Sequence, residues 1–314
     1  MNKLKVVFMG TPEFSVPVLE GLIKNYNVVG VVTQPDKEVG RKKELKYSPV
    51  KEVALKNSIN VLQPVKIKQE YDMVLELEPD IIITCAYGQI IPKEILDYPK
   101  YGCINVHASI LPKLRGGAPI HRAIIEGYSK TGITIMYMDE GMDTGDIISN
   151  CEIDIDHDMN VGILHDKLSI MGRDLLLEVL PNIISGSIKR IKQDESKATF
   201  AYNIKREDEL IDFNKPALVI YNHIRGLNPF PGAYATLDGK VIKIYNSIIS
   251  DRMYTEKENG EITRIYKEGI GVSVKDIEII ITELKVEGKK KMLAKDYLNG
   301  IDKDILIGKV FNKD

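Results

Sequence analysis

Short apolar runs rich in β-branched residues alternate with helix-length amphipathic stretches through the first half of the chain. A run at 5–9, an amphipathic stretch at 14–25 and a second run at 28–33 predict a β-α-β unit. Further strands are predicted at 59–62, 81–85, 102–106, 131–138 and 147–153, and helices at 51–56, 70–76 and 161–184. This alternation predicts an α/β fold, with a Rossmann-like, mainly parallel sheet that helices cover on both faces.

The second part of the chain has a different pattern. Between residues 185 and 209 the periodicity weakens into a charged stretch, which we interpret as the interdomain connection. A short helix is predicted at 216–225, followed by strands at 234–237, 241–249, 260–266, 271–274, 277–286 and 306–310. Short strands separated by turn residues predict a small OB-like β-barrel. We therefore predict a first domain at 1–188, a linker at 189–205 and a second domain at 206–314.

Size and composition agree with a soluble protein of two domains. The chain has 314 residues, 44% of them hydrophobic and 28% charged. No apolar window reaches the roughly 18 to 20 residues that cross a bilayer, so we expect a cytoplasmic protein without membrane contact. The three cysteines form no C-x-x-C pair, and we predict neither disulfides nor a metal site. A net charge of −2 means that any nucleic-acid contact must come from local basic patches.

The turn after the first strand reads Gly10-Thr11-Pro12-Glu13. It lacks the three-glycine G-x-G-x-x-G spacing that lets a backbone approach a pyrophosphate. We therefore do not expect a dinucleotide site there, and a tight strand-to-helix turn accounts for these residues.

The stretch with the most chemistry contains Asn105 and His107 on one predicted strand. Side chains two residues apart on a strand point to the same face, so both can share one reaction centre. An Asn amide can donate to an oxygen that becomes negative, and an imidazole can transfer protons near neutral pH, which suits acyl transfer. A lone strand His is more often a structural hydrogen-bonding residue, but the Asn partner and the glycine-rich segment that follows favour a site.

A second cluster, at residues 138–146, contains four acids and two glycines directly after a strand. Solvated turn acids are the default interpretation of such a segment. A carboxylate from this loop could instead orient an imidazole or accept a proton, if the loop folds over the face that carries Asn105 and His107. Sequence spacing leaves both interpretations open.

These residues resemble the signature of the folate-dependent formyltransferases. That signature is an Asn-x-His pair on a strand, a Ser-Leu-Leu-Pro-like turn and an Asp in a glycine-bearing loop, matched here by Asn105, His107, residues 109–112 and Asp143. Ala108 and Ile110 depart mildly from it. Further segments, at 9–14, 33–36, 86–92, 115–120 and 228–233, are similar to the branch of the family that formylates methionyl-tRNA. The resemblance runs from about residue 4 to residue 310.

The resemblance implies a reaction and a set of residues. The formyl group of 10-formyltetrahydrofolate would pass to the methionine amine of charged initiator tRNA, without a metal, in a protein that we expect to be a monomer. Asn105 would stabilise the oxyanion, and His107 and Asp143 would manage the protons. The folate would lie against two segments, whose residues are Ala86, Tyr87, Gly88, Gln89, Ile90, Ile91 and Pro92, and Ser109, Ile110, Leu111 and Pro112.

Two basic patches are candidates for tRNA contact. Residues 37–51 contain six basic and two acidic residues, with Arg41, Lys42 and Lys43 adjacent. The resemblance places this loop at the acceptor stem, whereas a solvated charged loop is the plain alternative. In the second domain Lys289, Lys290 and Lys291 form the clearest patch, although residues 206–314 carry 18 basic and 18 acidic side chains.

Two alternative functions remain open at this point. The first is a folate-dependent formyltransferase that acts on a small amine, such as a nucleotide or an amino sugar. The second is a noncatalytic RNA-binding protein that has kept the α/β scaffold, which the intact set of Asn105, His107 and Asp143 disfavours.

Overall fold

The computed structural model describes residues 4–39, 44–254 and 256–313. The chain divides into two compact units. The first consists of residues 1–119, 130–154 and 165–202, and the second of residues 120–129, 155–164 and 203–314. The chain therefore passes between the units more than once. The predicted boundaries at 188 and 206 remain a prediction, but residues 189–202 of the predicted linker group with the first unit.

The first half of the chain alternates strands and helices as the hydrophobic pattern predicts. Its elements, in chain order, are β1 Lys5–Gly10, α1 Val16–Asn25, β2 Asn27–Val32, β3 Lys37–Val39, β4 Glu44–Lys46, α2 Pro49–Lys56, β5 Val61–Leu62, α3 Asp72–Leu75, β6 Ile81–Cys85, α4 Lys93–Leu96, β7 Cys103–His107, α5 Pro119–Ile125, β8 Lys130–Tyr137, β9 Ile147–Asp154 and α6 Val161–Ser185. Short 3₁₀ turns at 13–15, 195–197 and 206–209 lie outside these elements.

The main sheet of the first unit has seven strands in the order β5-β2-β1-β6-β7-β8-β9. Its first five strands are parallel, and β8 and β9 are antiparallel to their neighbours. The prediction of a mainly parallel sheet is confirmed. β1 and β6 are buried along nearly their whole length, as expected of apolar strands that are covered on both faces.

Strand order reverses between β1 and β6, because the chain runs from β1 outward to β2 and later returns to β6. Open α/β sheets bind ligands outside the carboxyl ends of strands at such a switch point. Two hydrogen bonds tie the loops together there. The Thr11 hydroxyl donates to the Tyr87 carbonyl oxygen at 3.0 Å, and Ser15 Oγ donates to the Cys85 carbonyl oxygen at 2.5 Å.

The second unit contains an antiparallel sheet around an apolar core. Its elements are α7 Ala217–Gly226, β10 Ala233–Leu237, β11 Lys240–Ile249, β12 Ile262–Ile265, β13 Ile270–Ser273, β14 Glu278–Val286, β15 Met292–Leu293 and α8 Ala294–Leu298. The strand order is β10-β11-β14-β13-β12, with β15 paired to β14. This arrangement confirms the predicted antiparallel domain.

The C-terminal segment joins the two edges of this sheet. The Ile262 amide donates to the Lys309 carbonyl oxygen at 2.8 Å on the β12 side, and the Asn312 amide donates to the Thr236 carbonyl oxygen at 2.9 Å on the β10 side. Residues 304–308 form turns and Val310 makes one isolated bridge. The predicted strand at 306–310 is therefore wrong, but the C-terminal segment still closes the sheet into a barrel-like form by bonding to both of its outer strands.

Several short elements were not predicted. β3 and β4 pair as an antiparallel hairpin on either side of residues 40–43, in a stretch that the sequence analysis interpreted as a long charged loop. α4, α5, α8 and β15 were also missed, because elements of two to seven residues carry too few periods for a hydrophobic pattern to register. Across the described ranges, no helix combines the length and apolarity that a membrane span requires.

The packing of the C-terminal segment can be tested by shortening one side chain. Phe311 is 4% exposed and stacks on Phe213 with ring centroids 5.4 Å apart. We expect Phe311→Ala to lower the free energy of unfolding by about 3–5 kcal/mol, through lost burial and a residual cavity. Urea unfolding of the full chain, followed by far-UV circular dichroism, measures this loss.

The matched control is Lys313→Ala, two residues after Phe311. This change removes an exposed ion pair between Lys313 and Glu258. That change should cost no more than about 1 kcal/mol, because exposed ion pairs contribute little. Equal unfolding midpoints for the two variants would contradict the role given to Phe311.

Candidate functional site

The candidate site lies where β6 and β7 end. These strands are parallel neighbours, with Thr84 opposite Asn105, so their carboxyl ends meet at one edge of the sheet. The segment 86–92 follows β6 and the segment 108–118 follows β7. The two predicted folate-binding segments therefore leave the sheet at the same edge, one strand from the switch point.

Asn105 is held in one orientation by its neighbour on β6. The buried Thr84 hydroxyl donates to Asn105 Oδ1 at 2.9 Å. Because the amide oxygen is engaged there, Nδ2 points away from β6, and it donates to Asp143 Oδ1 at 3.4 Å. Among the described residues this is its one hydrogen bond, which leaves the second N–H able to donate to a substrate oxygen.

His107 is buried at the end of β7, and its tautomer follows from its contacts. Nε2 lies 3.1 Å from the Leu114 carbonyl oxygen, which accepts and cannot donate, so Nε2 carries the proton in this contact. Nδ1 faces Asp143 Oδ1 at 3.6 Å. Nδ1 is therefore the ring atom that takes up or releases a second proton.

Asp143 reaches this place from the loop between β8 and β9. Its backbone is left-handed, with φ of 55°, a conformation that few non-glycine residues adopt. The Gly116 amide donates to Asp143 Oδ2 at 2.8 Å, which leaves Oδ1 facing Asn105 and His107. Gly116 itself has φ of 117°, and a Cβ there would lie 2.8 Å from the Ala201 carbonyl oxygen. This position therefore requires glycine.

The three predicted catalytic residues thus converge on one atom, Asp143 Oδ1. The side chains of His107 and Asp143 are 6% and 17% exposed, so water screens their interaction weakly. The group can accept a proton from a nucleophile and return it to a leaving group, beside an amide that stabilises a developing oxyanion.

A network behind Asp143 was missed in the sequence. Gln193 Nε2 donates to the Asp143 and Gly145 carbonyl oxygens, at 2.8 Å each. Gln193 Oε1 in turn accepts from the guanidinium of Arg115, which is 2% exposed and also pairs with Glu195. The hydrogen bonds from Arg115 hold the pKa of Glu195 below its ordinary value.

Of the three residues in this network, only Arg115 carries a sequence signal, which is the Arg-Gly-Gly run that follows the strand with Asn105 and His107. Gln193 and Glu195 lie in a stretch that reads as a solvated linker, so no local signal marks them. Cys85 directly precedes the first folate segment, and burial raises the pKa of its thiol to about 12, so the thiolate is disfavoured near neutral pH.

The structure shows how the two predicted folate segments are shaped. In the first, Ala86 and Gly88 have left-handed backbones and are exposed, whereas Tyr87 and Ile91 are buried. In the second, Ser109 Oγ donates to the Lys113 carbonyl oxygen at 2.6 Å, and Thr134 bonds the Ser109 carbonyl and the Leu111 amide. Leu111-Pro112 is a cis peptide. Both segments are thus held in defined turns.

The predicted tRNA-binding residues are placed less completely. Arg41, Lys42 and Lys43 lie outside the described residues. Lys289, Lys290 and Lys291 are exposed in the turn between β14 and β15. Lys291 Nζ lies 3.0 Å from Glu283 Oε1, so it already has an acidic partner within its own unit.

In the part of the chain that the structure describes, no cluster of three or more His, Cys, Asp or Glu side chains could hold a metal ion. The absence of a metal remains a prediction.

Comparison with known proteins gives a consistent result along the chain. The formyl transferase family model matches residues 3–180, and the formyl transferase C-terminal domain model matches residues 203–302. The methionyl-tRNA formyltransferase of Bacillus subtilis strain 168 is 56% identical over 300 residues, which cover 94% of this chain and 94% of that protein.

Solved structures share the fold at lower identity. WlaRD, a sugar 3N-formyl transferase solved with dTDP and 5-N-formyl-THF, has a TM-score of 0.66 and 22% identity, and the alignment covers 92% of this chain and all of WlaRD. A methionyl-tRNA formyltransferase from Clostridium thermocellum has a TM-score of 0.54 and 20% identity, over 79% of this chain and 94% of that one.

The proton positions inferred for His107 can be measured directly. We expect the neutral imidazole to carry its proton on Nε2, because the Leu114 carbonyl oxygen accepts from that atom. In protein labelled with ¹⁵N-histidine, the ring nitrogen shifts should identify Nδ1 as the unprotonated nitrogen, and His107→Gln assigns the signals. His165, which is partly exposed and bonded through Nδ1 to Asp166, serves as the comparison within the same sample. A neutral His107 protonated on Nδ1 would contradict the arrangement.

Proposed function

The chain belongs to the formyl transferase family, and on that basis we propose that it transfers the formyl group of 10-formyltetrahydrofolate to the methionine amine of charged initiator tRNA. The observation that carries the proposal is the convergence of Asn105 and His107 on Asp143 Oδ1. Likeness to a methionyl-tRNA formyltransferase along most of the chain supports this acceptor over a small amine.

The three residues have distinct tasks in this reaction. 10-Formyltetrahydrofolate supplies the formyl carbon as electrophile. Asn105 donates a hydrogen bond to the formyl oxygen as that atom gains negative charge during attack by the amine. His107 and Asp143 hold the proton that the amine loses while its new bond to carbon forms. The same pair returns a proton to the folate nitrogen as the bond from that nitrogen to carbon breaks, so the protons balance.

The segments at 86–92 and 109–112 suit a folate. They flank the reaction centre at the carboxyl edge of β6 and β7, the usual ligand position in an open α/β sheet. The left-handed backbones of Ala86 and Gly88 turn the first segment sharply there, with Ile90 85% exposed. A turned backbone offers N–H and C=O groups to a flat polar ring, and an exposed apolar side chain can cover one of its faces.

Binding of tRNA would come from local basic surface. Residues 206–314 carry equal numbers of acidic and basic residues, so phosphates must be met by patches such as Lys289 to Lys291. Arg41, Lys42 and Lys43, which come between β3 and β4 in the sequence, are the second proposed patch. A monomer that works in the cytoplasm, where charged tRNA and the ribosome are found, completes the proposal.

The acceptor is tested with a labelled formyl donor. Charged initiator methionyl-tRNA should be formylated rapidly, and an amino-sugar nucleotide should not. Transfer to the sugar amine at a comparable rate would favour the small-amine alternative instead. Tight tRNA binding without turnover would favour a noncatalytic RNA-binding protein.

The catalytic roles predict large losses of turnover. Asn105→Ala and His107→Ala should each lower kcat at least about a hundredfold, the scale for losing an oxyanion donor or a general acid–base group. Both proteins should remain folded by circular dichroism. The matched controls are Asn150→Ala and His165→Ala, at an exposed and a partly exposed position, which should keep kcat within about twofold. Near wild-type kcat in either test variant would remove that residue from the mechanism.

The lysine patch predicts a change in salt dependence. We expect Lys289→Ala with Lys290→Ala to weaken tRNA binding, and to flatten the slope of log affinity against log salt by about one per phosphate contact removed. Folate affinity should not change. Lys303→Ala, an exposed lysine of the same unit, controls for loss of charge alone. A double variant with the affinity and slope of that control would show that the patch does not contact tRNA.

A further inference from the structure

We propose that Gln193 is a positioning residue, whose amide holds the 143–145 loop so that the Asp143 carboxylate faces Asn105 and His107. This inference rests on the proposed function for its kinetic readout. Gln193 bonds to backbone carbonyl oxygens of the loop and acts through Asp143. Neither the family resemblance nor the hydrophobic pattern pointed to this residue.

The orientation of the Gln193 amide is determined by its neighbours. Arg115 Nε and Nη2 lie 3.1 Å and 2.7 Å from Oε1, and a guanidinium can only donate, so the amide oxygen must face Arg115. The amide nitrogen then faces the loop and donates to two carbonyl oxygens at 2.8 Å each. Both N–H groups of the amide are therefore used. If the amide were flipped, its nitrogen would face the donors of Arg115 and its oxygen would face the two carbonyl oxygens of the loop.

Arg115 is a rigid anchor for this amide. Its remaining donors reach both carboxylate oxygens of Glu195, at 2.8 Å and 2.7 Å. Its charge is therefore balanced although the side chain is only 2% exposed. Arg115 also lies between Leu114, whose carbonyl oxygen binds His107, and Gly116, whose amide binds Asp143. One short segment thus positions both members of the proton-transferring pair.

The loop needs an external support because its conformation is unfavourable by itself. Asp143 is left-handed without being glycine, and Gly145 approaches Tyr137 so closely that a Cβ would lie 2.0 Å from its carbonyl oxygen. Gln193 bonds the carbonyl groups on both sides of Thr144, which fixes the direction of the chain where the carboxylate projects. Without these two bonds, the loop could relax and carry Oδ1 away from His107.

The sharpest test is Gln193→Glu, which keeps the size and the acceptor for Arg115 but replaces the donating nitrogen with oxygen. A carboxylate oxygen would then face two carbonyl oxygens, so we expect the loop to move and kcat to fall at least about tenfold. KM for tRNA and for the formyl donor should change less than about twofold. Gln193→Met removes the donors without adding charge, and it should lower kcat in the same direction if the carboxylate variant does not fold.

Gln63→Glu is the matched control. Its amide also bridges a cation and acceptors, since Oε1 accepts from Lys51 and Nε2 donates to Asp36 and to the Gln34 carbonyl oxygen. Gln63 directly follows β5, four strands away from β7 in the sheet. The control should lose stability to a similar extent and keep kcat within about twofold. Equal loss of kcat in both variants would mean that destabilisation alone explains the Gln193 effect.

A double-mutant comparison tests whether Gln193 acts through Asp143. In an Asp143→Ala background, Gln193→Glu should lower kcat less than about twofold further, because the positioned group is already absent. A full tenfold loss in that background would overturn the proposal. The pH profile of kcat/KM for Gln193→Glu should move toward that of Asp143→Ala. An unchanged profile with a reduced rate would also overturn it.

A readout without substrates separates this inference from the proposed function. The ¹⁵N titration of the His107 imidazole in Gln193→Glu should resemble that in Asp143→Ala rather than that in the wild type. If the wild type does not formylate methionyl-tRNA but this shift occurs, the proposed function fails and the positioning role stands. A wild-type titration curve in Gln193→Glu would overturn the positioning role whatever the enzyme's substrate.

Discussion

The backbone pairing between residues 112–118 and 199–201 holds the segment that contacts both His107 and Asp143. The Arg115 amide donates to the Thr199 carbonyl oxygen at 2.9 Å, the Ala201 amide donates to the Arg115 carbonyl oxygen at 2.7 Å, and the Ala118 amide donates to the Ala201 carbonyl oxygen at 3.0 Å. These bonds hold the glycine-containing loop at 112–118 in one conformation. From that segment, one carbonyl orients His107 and one amide orients Asp143. The position of two of the proposed catalytic groups therefore depends on a contact between stretches about eighty residues apart in sequence.

The place of the site in the sheet follows from a change of strand direction. β6 and β7 are parallel, and their ends provide Thr84 and Asn105 side by side. β8 is antiparallel to β7, so the chain that leaves β8 at Tyr137 emerges near the start of β7 rather than beyond His107. The loop from 138 to 146 must then travel back along the sheet for Asp143 to reach the strand ends. A glycine-bearing loop with a left-handed Asp is suited to that path.

The fold was largely predictable from sequence, for a physical reason. β1, β6 and β7 are apolar runs bounded by turn residues, and α6 has 25 residues, so each carries a repeated hydrophobic signal. Elements stabilised by distant partners were not predictable in this way. β3 and β4 are short polar strands that stabilise each other. The segment at 306–310 has the composition of a strand, although residues 304–308 form turns and residues 308 and 309 bond to Ile262.

The sequence predicted that the proposed catalytic groups share one site, but it did not predict the residues that support them, and the difference lies in sequence distance. Asn105 and His107 are two residues apart on one strand, so periodicity alone placed them together, and family resemblance added Asp143. The Gln193 amide bonds to groups 50, 48 and 78 positions away, and Arg115 lies 80 positions from Glu195. Polar side chains that bond over such spans leave no local pattern in the sequence, because their partners and their burial are set only when distant segments of the folded chain come together. A stretch that reads as a charged linker can therefore contain residues that bond the loop of a proposed catalytic carboxylate.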